Sequence, residues 1–490
     1  MRHAIRWWSA LLGMVMGMVV ASVAAFGGVA APESWTGVVE LPGGAKLEFS
    51  VALEEASGTI SIPVQGVKDL PLADVTGRGK SIRFTIKPAG TPEATHAKFS
   101  WEVAEDGTAK DGLLRQMGQE FKVTAKRLAA GQEAPQMKRP QEPKPPFPYR
   151  SEEVEVKVAD GHALAGTLTL PEGKGPFPGV ILVSGSGPQD RDESLLGHKP
   201  FLVLADHLTR AGVAVLRYDD RGVGRSTGNF ATATSDDFAV DALAALEYLS
   251  KRAEIDAAKV GIVGHSEGGL IAPLVAAKSE VPKFLVLLAG PGMRGVELLV
   301  LQGRLIAEAS GADAETAARN AAASERVLRS IVEGASDEAV LKVLREVVEA
   351  ELAVNESTKD RPAEERAGLV EQTVKQQAAA VLSPWMKRFL AIDPAESLRR
   401  VRVPVLALIG EKDLQVPPKE NLAGIAAALK AGGNERGTLR EMVGLNHLFQ
   451  TAKTGSPSEY VEIEETFAPA ALEAVSGWIL EMTGGVGEKK

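Results

Sequence analysis

Alternating apolar and polar residues mark residues 32–130 as a region of short strands. The segments with this pattern are Lys46–Leu53, Ser57–Ile62, Ser81–Ile86, Ala97–Val103 and Glu120–Ala125. Turn-forming pairs such as Gly43-Gly44 and Asp106-Gly107 separate them. Short strands with frequent turns predict a small antiparallel β-domain, built as a barrel or a sandwich. No acid–base cluster stands out here, so we interpret the region as an accessory domain.

A different pattern begins at residue 150. Val154–Val158 and His162–Leu170 predict an antiparallel hairpin around Asp160-Gly161. Unbroken apolar runs follow, with helical stretches such as Asp236–Ser250 and Leu270–Lys278 between them. The runs are Gly179–Val183, Val213–Tyr218, Val260–Val263, Phe284–Leu288 and Val403–Ile409. This alternation predicts an α/β domain over residues 150–490, with a mostly parallel sheet and helices on both faces.

The alternation is interrupted between Gly290 and Pro384, where Ala, Glu, Arg and Leu dominate. After Ser336, a residue type that caps helices, apolar residues recur at helical spacing: Val340, Val343, Leu344, Val347 and Val348. We therefore predict a helical cap at about residues 291–384. Because it is inserted between two sheet strands, it is expected over their carboxyl ends, where a lid would lie.

Two further segments complete the domain organisation. Residues 131–149 hold six prolines among charged residues, which predicts a semi-rigid linker. Residues 1–31 begin with a basic region and continue with an apolar stretch from Trp7 to about Ala25. Small residues close it at Val23-Ala24-Ala25 and again at Val29-Ala30-Ala31, which predicts a signal peptide. The alternative is a membrane anchor, since the apolar run is nearly long enough to span a bilayer.

Composition narrows the class of protein further. The chain has 490 residues, a formal net charge of −9 and no cysteine. The negative charge argues against nucleic acid or an anionic membrane as the main partner. Without cysteine, disulfides, thiolate metal sites and a cysteine nucleophile are excluded. With signal cleavage, we expect an exported protein, periplasmic or extracellular, without stable membrane insertion.

The strongest chemical signal is Gly264-His265-Ser266-Glu267-Gly268, which fits the pattern Gly-x-Ser-x-Gly. It directly follows Val260–Val263 and opens a helix that begins near Gly269. In this strand–turn–helix context the motif is a nucleophile elbow of the α/β-hydrolase type. Its glycines leave room for a tight turn, and the helix N-terminus favours negative charge beside the serine. We therefore predict Ser266 as a catalytic nucleophile.

A serine hydroxyl needs a base within hydrogen-bond reach, and the chain has seven histidines. His447 follows the predicted last strand, Thr438–Val443, and it obeys the order serine, acid, histidine along the chain. We therefore predict His447 as the base. The other histidines are set aside by position, His265 because its side chain should point away from the serine oxygen. They are His3, His96, His162, His198, His207 and His265.

The acid should end the strand before the histidine loop. Asp413 is the first candidate and Glu411 the second, and the task of this acid is to fix the histidine tautomer. For the oxyanion we predict the N–H of Glu267 and the N–H of Ser186, with Gly187 next. The loop Asp219–Ser226 holds two glycines and several charges, and we interpret it as a brace held by ion pairs.

These motifs resemble the serine esterases of the α/β-hydrolase superfamily, in particular the EstD-type bacterial carboxylesterases. The matching stretches are Ser184–Asp192, Tyr218–Gly228, Gly264–Gly269, Ser383–Trp385, Asp393-Pro394, Gly410–Pro418 and Asn446–Phe449. The resemblance implies hydrolysis of a small-molecule ester by an acyl-enzyme route, with no metal and no organic cofactor. One departure is Ser184, where many relatives have histidine.

Two alternatives stay open: a peptidase or amidase of the same fold, and a non-catalytic exported binding protein. We further hypothesise that Trp385 or Phe389 lines an acyl pocket for short to medium chains, because both lie where the cap rejoins the sheet domain. Most apolar residues of the cap are expected only to pack it onto the core.

Overall fold

The computed structural model describes residues 33–40, 46–54, 56–62, 67–77, 79–87, 96–116, 119–129, 132, 138–355 and 358–484. The predicted signal peptide, residues 1–31, lies outside them. In the described part, none of the helices has the length and apolarity needed to span a membrane. The described residues form two compact units: those from 33 to 139 together with 194–198, and those from 140 to 193 together with those from 199 to 484.

The first unit contains one continuous antiparallel sheet of nine strands. They are β1 (Glu33–Glu40), β2 (Lys46–Leu53), β3 (Gly58–Ile62), β4 (Val67–Pro71), β5 (Ala73–Thr76), β6 (Ser81–Ile86), β7 (Ala97–Val103), β8 (Ala109–Gln116) and β9 (Gln119–Arg127). Their order is β4-β3-β2-β1-β9-β8-β7-β6-β5. Alternate residues face an aromatic core, in which Phe84 stacks on Phe99 at 4.8 Å and Trp35 meets Trp101 edge-on at 5.4 Å. The prediction of an antiparallel β-domain is confirmed.

The second unit is built on an eight-stranded mixed sheet. Its strands are β10 (Arg150–Lys157), β11 (Ala163–Leu170), β12 (Phe177–Val183), β13 (Ala214–Tyr218), β14 (Ile255–His265), β15 (Phe284–Leu288), β16 (Val405–Gly410) and β17 (Gly437–Met442). Their order is β10-β11-β13-β12-β14-β15-β16-β17, and only β11 runs antiparallel to its neighbours. Parallel strands end at one edge, so the loops after β12, β14, β16 and β17 converge there.

Eleven helices in the described part of the chain connect or cover these strands. They are α1 (Pro200–Arg210), α2 (Ser235–Ser250), α3 (Glu267–Ala276), α4 (Gly295–Ala309), α5 (Ala314–Val332), α6 (Asp337–Val354), α7 (Ala363–Val381), α8 (Pro384–Ala391), α9 (Pro394–Leu398), α10 (Pro418–Ala431) and α11 (Pro469–Thr483). Along β12, Val180 and Leu182 belong to one apolar core, and Ile181 and Val183 belong to another. This period of two shows that both sheet faces are buried.

Helices α4–α8 form the helical insertion that follows β15, and the short helix α9 lies between this insertion and β16. Ser336 caps α6, since its hydroxyl accepts the Ala339 N–H over 3.3 Å, and Val340 and Leu344 of that helix are buried. The helical region extends past residue 384 to Ala391. There Ser383 and Pro384 are the N-cap and first residue of α8 rather than the end of the insertion.

Candidate active site

Ser266 occupies a strained turn between β14 and α3. Its backbone has φ 52° and ψ −116°, a combination that side chains with a Cβ rarely adopt. A hydrogen bond of 2.8 Å from its N–H to the carbonyl oxygen of Leu288 holds it there. Ser266 is partly exposed while the residues on both sides of it are buried. The turn therefore presents the hydroxyl at the sheet edge.

The glycines of the elbow are required by close backbone contacts. A Cβ on Gly264 would lie 2.1 Å from the carbonyl oxygen of Gly268, and one on Gly268 would lie 2.0 Å from that of Val183. Neither contact can be relieved by moving a side chain. These two positions therefore fix the elbow against β12, as the motif predicted.

His447 and Asp413 come together at the same edge. Nδ1 of His447 donates to Oδ2 of Asp413 over 2.8 Å, and both residues are buried. The other carboxylate oxygen of Asp413 accepts the N–H groups of Gln415 and Val416, each at 2.8 Å. Asp413 is thus held as an ionised acceptor, which fixes Nδ1–H and leaves Nε2 as the basic nitrogen of His447.

Glu411, the alternative acid, has another role. It is exposed, and its carboxylate accepts the N–H of Gly444 at the start of the histidine loop over 2.7 Å. A Cβ on Gly410 would lie 2.3 Å from the carbonyl oxygen of Leu445, so the acid turn and the histidine loop pack backbone to backbone. The structure pairs Asp413, and not Glu411, with His447.

The predicted oxyanion donors lie on neighbouring segments. Glu267 is the first residue of α3, where an N–H has no intrahelical acceptor. In the loop after β12, the N–H of Gly185 donates to Glu193 over 2.7 Å, so that amide is engaged. A Cβ on Gly185 would lie 3.1 Å from Cβ of Ser266, which brings the Ser186 loop beside the nucleophile position.

The carboxylate of Glu267 is buried and bound by donors from three segments. Its Oε1 accepts the hydroxyl of Ser235 over 2.6 Å and the indole N–H of Trp385 over 2.8 Å. Burial raises the pKa of Glu267, while the hydrogen bonds from Ser235, Trp385 and the Ser186 side chain oppose that rise. Glu267 therefore joins the elbow to the oxyanion loop and to helix α8.

Trp385 and Phe389, the predicted acyl-pocket residues, stack on each other on α8 with ring centroids 5.1 Å apart. Phe389 is buried and Trp385 is partly exposed. The hydrogen bond to Glu267 gives Trp385 a polar contact with the elbow that the sequence did not predict.

The charged loop Asp219–Ser226 is braced by ion pairs, as interpreted from the sequence. Asp219 binds the guanidinium of Arg191 over 2.9 Å, and Arg221 binds Asp241 over 2.7 Å. Asp220 accepts the hydroxyl of Ser184 over 3.1 Å. Its carboxyl is buried, which raises its pKa well above the ordinary value. At this position Ser184 therefore supports the oxyanion loop through a buried acid.

Sequence reasoning missed His265 and Glu193. His265 is buried, and its ring centroid lies 4.9 Å from that of His447. Its Nδ1 lies 2.8 Å from Oε1 of Glu193. The only sequence signal was the position of His265 next to the nucleophile, since nothing in the pattern points to Glu193.

Comparisons with known proteins agree with this architecture. The family model described as "Serine aminopeptidase, S33" matches residues 199–451, just over half of the chain. The chain therefore belongs to this family of α/β hydrolases, and the predicted fold is confirmed. It is 27% identical over 316 residues to Esterase EstD of Thermotoga maritima, which confirms the resemblance noted from the motifs. That alignment spans 64% of each protein, less than two thirds of the relative's length.

Solved structures with similar chains include an esterase and a ferulic acid complex. The Pyrococcus furiosus esterase PF2001 is 16% identical with a TM-score of 0.41, over 68% of this chain and 91% of that one. Est1E from Butyrivibrio proteoclasticus, solved with ferulic acid, is 18% identical with a TM-score of 0.39, over 68% and 99% of the two chains.

Proposed function

We propose that this protein is an exported serine hydrolase that cleaves carboxylic esters through an acyl-enzyme intermediate. The observation that carries the proposal is the geometry at one sheet edge. A partly exposed serine occupies a strained elbow. The ring of His447 lies 4.9 Å from that of His265, the residue before this serine, and His447 donates to a buried carboxylate over 2.8 Å. The similarity to a protein named as an esterase supports the choice of an ester as substrate.

In the proposed reaction, Oγ of Ser266 attacks the ester carbonyl and its proton passes to Nε2 of His447. The N–H groups of Glu267 and Ser186 stabilise the oxyanion, and Asp413 stays ionised and stabilises the imidazolium. The C–O bond breaks when His447 returns the proton to the leaving alcohol. Water, deprotonated by the same histidine, then attacks the acyl-enzyme and releases the acid and Ser266.

The second candidate is an aminopeptidase, which the description of the family model favours. Such an enzyme needs a carboxylate that can bind the substrate ammonium group. Glu267 and Asp220, the acids next to the elbow and the oxyanion loop, already accept protein donors, and burial raises the pKa of both. This argues against recognition of a free substrate ammonium group by these two acids and so against an aminopeptidase.

A substrate panel tests this choice. Purified protein is assayed with p-nitrophenyl acetate, butyrate and octanoate and with alanine and proline p-nitroanilides. We expect kcat/KM to be higher for the esters, with short to medium acyl chains preferred. A higher kcat/KM for the anilides would instead support the aminopeptidase. A folded protein that cleaves neither set and fails to react with a fluorophosphonate would support a binding protein.

Export is proposed on residues 1–31, with the protein periplasmic or extracellular. N-terminal sequencing of protein recovered from these fractions tests it. We expect a new N-terminus after Ala25 or after Ala31, whereas an intact N-terminus at Met1 in a membrane fraction would support the anchor.

A further inference from the structure

His265 presents both of its ring nitrogens to acceptors. Nδ1 lies 2.8 Å from Oε1 of Glu193, and Nε2 lies 3.0 Å from the backbone carbonyl oxygen of His447. A carbonyl oxygen can only accept, so Nε2 must carry a proton. The side chain is 6% exposed, so these contacts rather than water satisfy the ring.

Glu193 determines where the second proton lies. The same Oε1 that faces His265 also accepts the N–H of Gly185 over 2.7 Å, and Glu193 is 4% exposed. An oxygen that faces two donors is best satisfied as a carboxylate, because charge-assisted hydrogen bonds are the stronger ones. His265 is then an imidazolium with a buried counter-ion, which is how buried charges are tolerated.

This ion pair connects three segments that the reaction must hold in register. Gly185 precedes the oxyanion residue Ser186, His265 precedes the nucleophile Ser266, and the carbonyl that accepts from Nε2 belongs to the base His447. The three segments follow three different strands, β12, β14 and β17. No backbone hydrogen bond within a single loop could replace a link of this kind.

We propose that His265 and Glu193 form a positioning pair for the ester hydrolysis proposed above, in which charged His265 holds the carbonyl of His447 and, through Glu193, the oxyanion loop. The inference rests on the proposed function. Neither residue touches the reacting atoms; both act through Ser186, Ser266 and His447.

The positioning pair acts only while His265 is charged, so activity should depend on the protonation of His265. The titratable groups that bear on His265 are Glu193, His447 and Asp413. Burial lowers the pKa of His265, but Glu193, the backbone carbonyl oxygen of His447 and the charge of Asp413 outweigh burial, so the net shift is upward. For a histidine with a raised pKa, the stabilisation is fully present below about 6.5 and is lost as pH rises through the raised value. His447 must be neutral to act as a base, whereas His265 must be charged. We therefore expect kcat/KM to fall at low pH, where His447 gains a proton, and at high pH, where His265 loses its proton.

The pH dependence of kcat/KM for p-nitrophenyl acetate tests the pair in Glu193→Gln and His265→Gln. Glu193→Gln keeps an acceptor of the same size but removes the charge, so the alkaline limb should move to lower pH by about one unit or more. His265→Gln keeps one donor but cannot titrate, so its alkaline limb should disappear. The control is His207→Gln, which loses a buried contact with Ser476 at 2.9 Å and should keep the wild-type profile.

A second readout does not depend on activity. In protein labelled with ¹⁵N-histidine, the ring of His265 should lose its proton at a higher pH in the wild type than in Glu193→Gln, with the signal assigned from its loss in His265→Gln. Unchanged alkaline limbs in both variants, or a His265 ring that titrates at the same pH in the wild type and in Glu193→Gln, would overturn the positioning pair. A wild-type enzyme without esterase activity but with a protonated His265 would instead count against the proposed function, and the pair would stand as structure.

Discussion

The indole N–H of Trp385 donates to the carboxylate of Glu267 over 2.8 Å. Trp385 lies on α8, the last helix of the insertion, and Glu267 directly follows the elbow serine. The backbone N–H of Glu267 is a proposed oxyanion donor, so this bond connects the position of the insertion to the oxyanion site. We therefore expect that an acyl chain bound against Trp385 would affect, through Glu267, the oxyanion site that holds the reacting carbonyl.

Substitutions at Trp385 separate its polar contact from its apolar surface. Trp385→Phe removes the N–H that links α8 to Glu267, a proposed oxyanion donor, so kcat should fall for every ester. Trp385→Ala and Phe389→Ala should in addition raise KM for p-nitrophenyl octanoate more than for the acetate. Val332→Ala, an exposed apolar residue of the insertion, is the control. Equal losses on all chain lengths in folded Ala variants would remove the acyl-pocket role.

Asp413, the acid of the proposed triad, can be tested against its neighbour Glu411. Asp413→Asn keeps the shape of the side chain but replaces one acceptor oxygen with an NH2 donor group. The tautomer of His447 is then no longer fixed. We expect kcat to fall by about 10⁴-fold. Glu411→Gln is the matched control, because the carboxylate of Glu411 accepts the backbone N–H of Gly444 and is not paired with His447, so its effect on kcat should be small. A larger loss in Glu411→Gln than in Asp413→Asn would reverse the assignment.

Glu351 on α6 predicts a pH dependence of stability. Burial raises its pKa to about 7, and the charge of Arg319 offsets only part of that rise. The folded state therefore favours the protonated acid. The contribution of Glu351 to the free energy of unfolding is lost as pH rises from about 4.5 through 7. Glu351→Gln should raise Tm at pH 8 and flatten the dependence, while the exposed Glu349→Gln should leave it unchanged. A Tm of Glu351→Gln that falls with pH as steeply as the wild-type value would contradict this.

The sheet of the hydrolase unit could be predicted from sequence because its strands are buried on both faces. Phe284–Leu288 was predicted with its observed bounds, since an unbroken apolar run of five residues fits little else. The elbow was predicted because the Gly-x-Ser-x-Gly pattern is local, and the close contact of Gly264 with Gly268 lies within it. Such features are encoded within a few residues of where they act.

Contacts between distant segments could not be predicted in the same way. Glu193 and His265 are 72 positions apart, and Glu267 and Trp385 are 118 apart. No periodicity relates such residues, and each taken alone has the appearance of an ordinary loop or helix residue. The expectation that His265 points away from the serine oxygen stays a prediction. It considered only the elbow, and it did not foresee the contact of His265 with the carbonyl oxygen of His447.

The central claim is that Ser266 carries the acyl group, and covalent labelling tests it most directly. The wild-type protein is treated with a fluorophosphonate, digested, and the modified residue is located by mass spectrometry, with Ser266→Ala treated in parallel and checked for folding by circular dichroism. Because the elbow serine contributes little packing, the variant should fold. The account predicts one modified residue, Ser266, and neither labelling nor p-nitrophenyl acetate hydrolysis in Ser266→Ala. Labelling at another serine, or most of the activity retained by the folded variant, would contradict it.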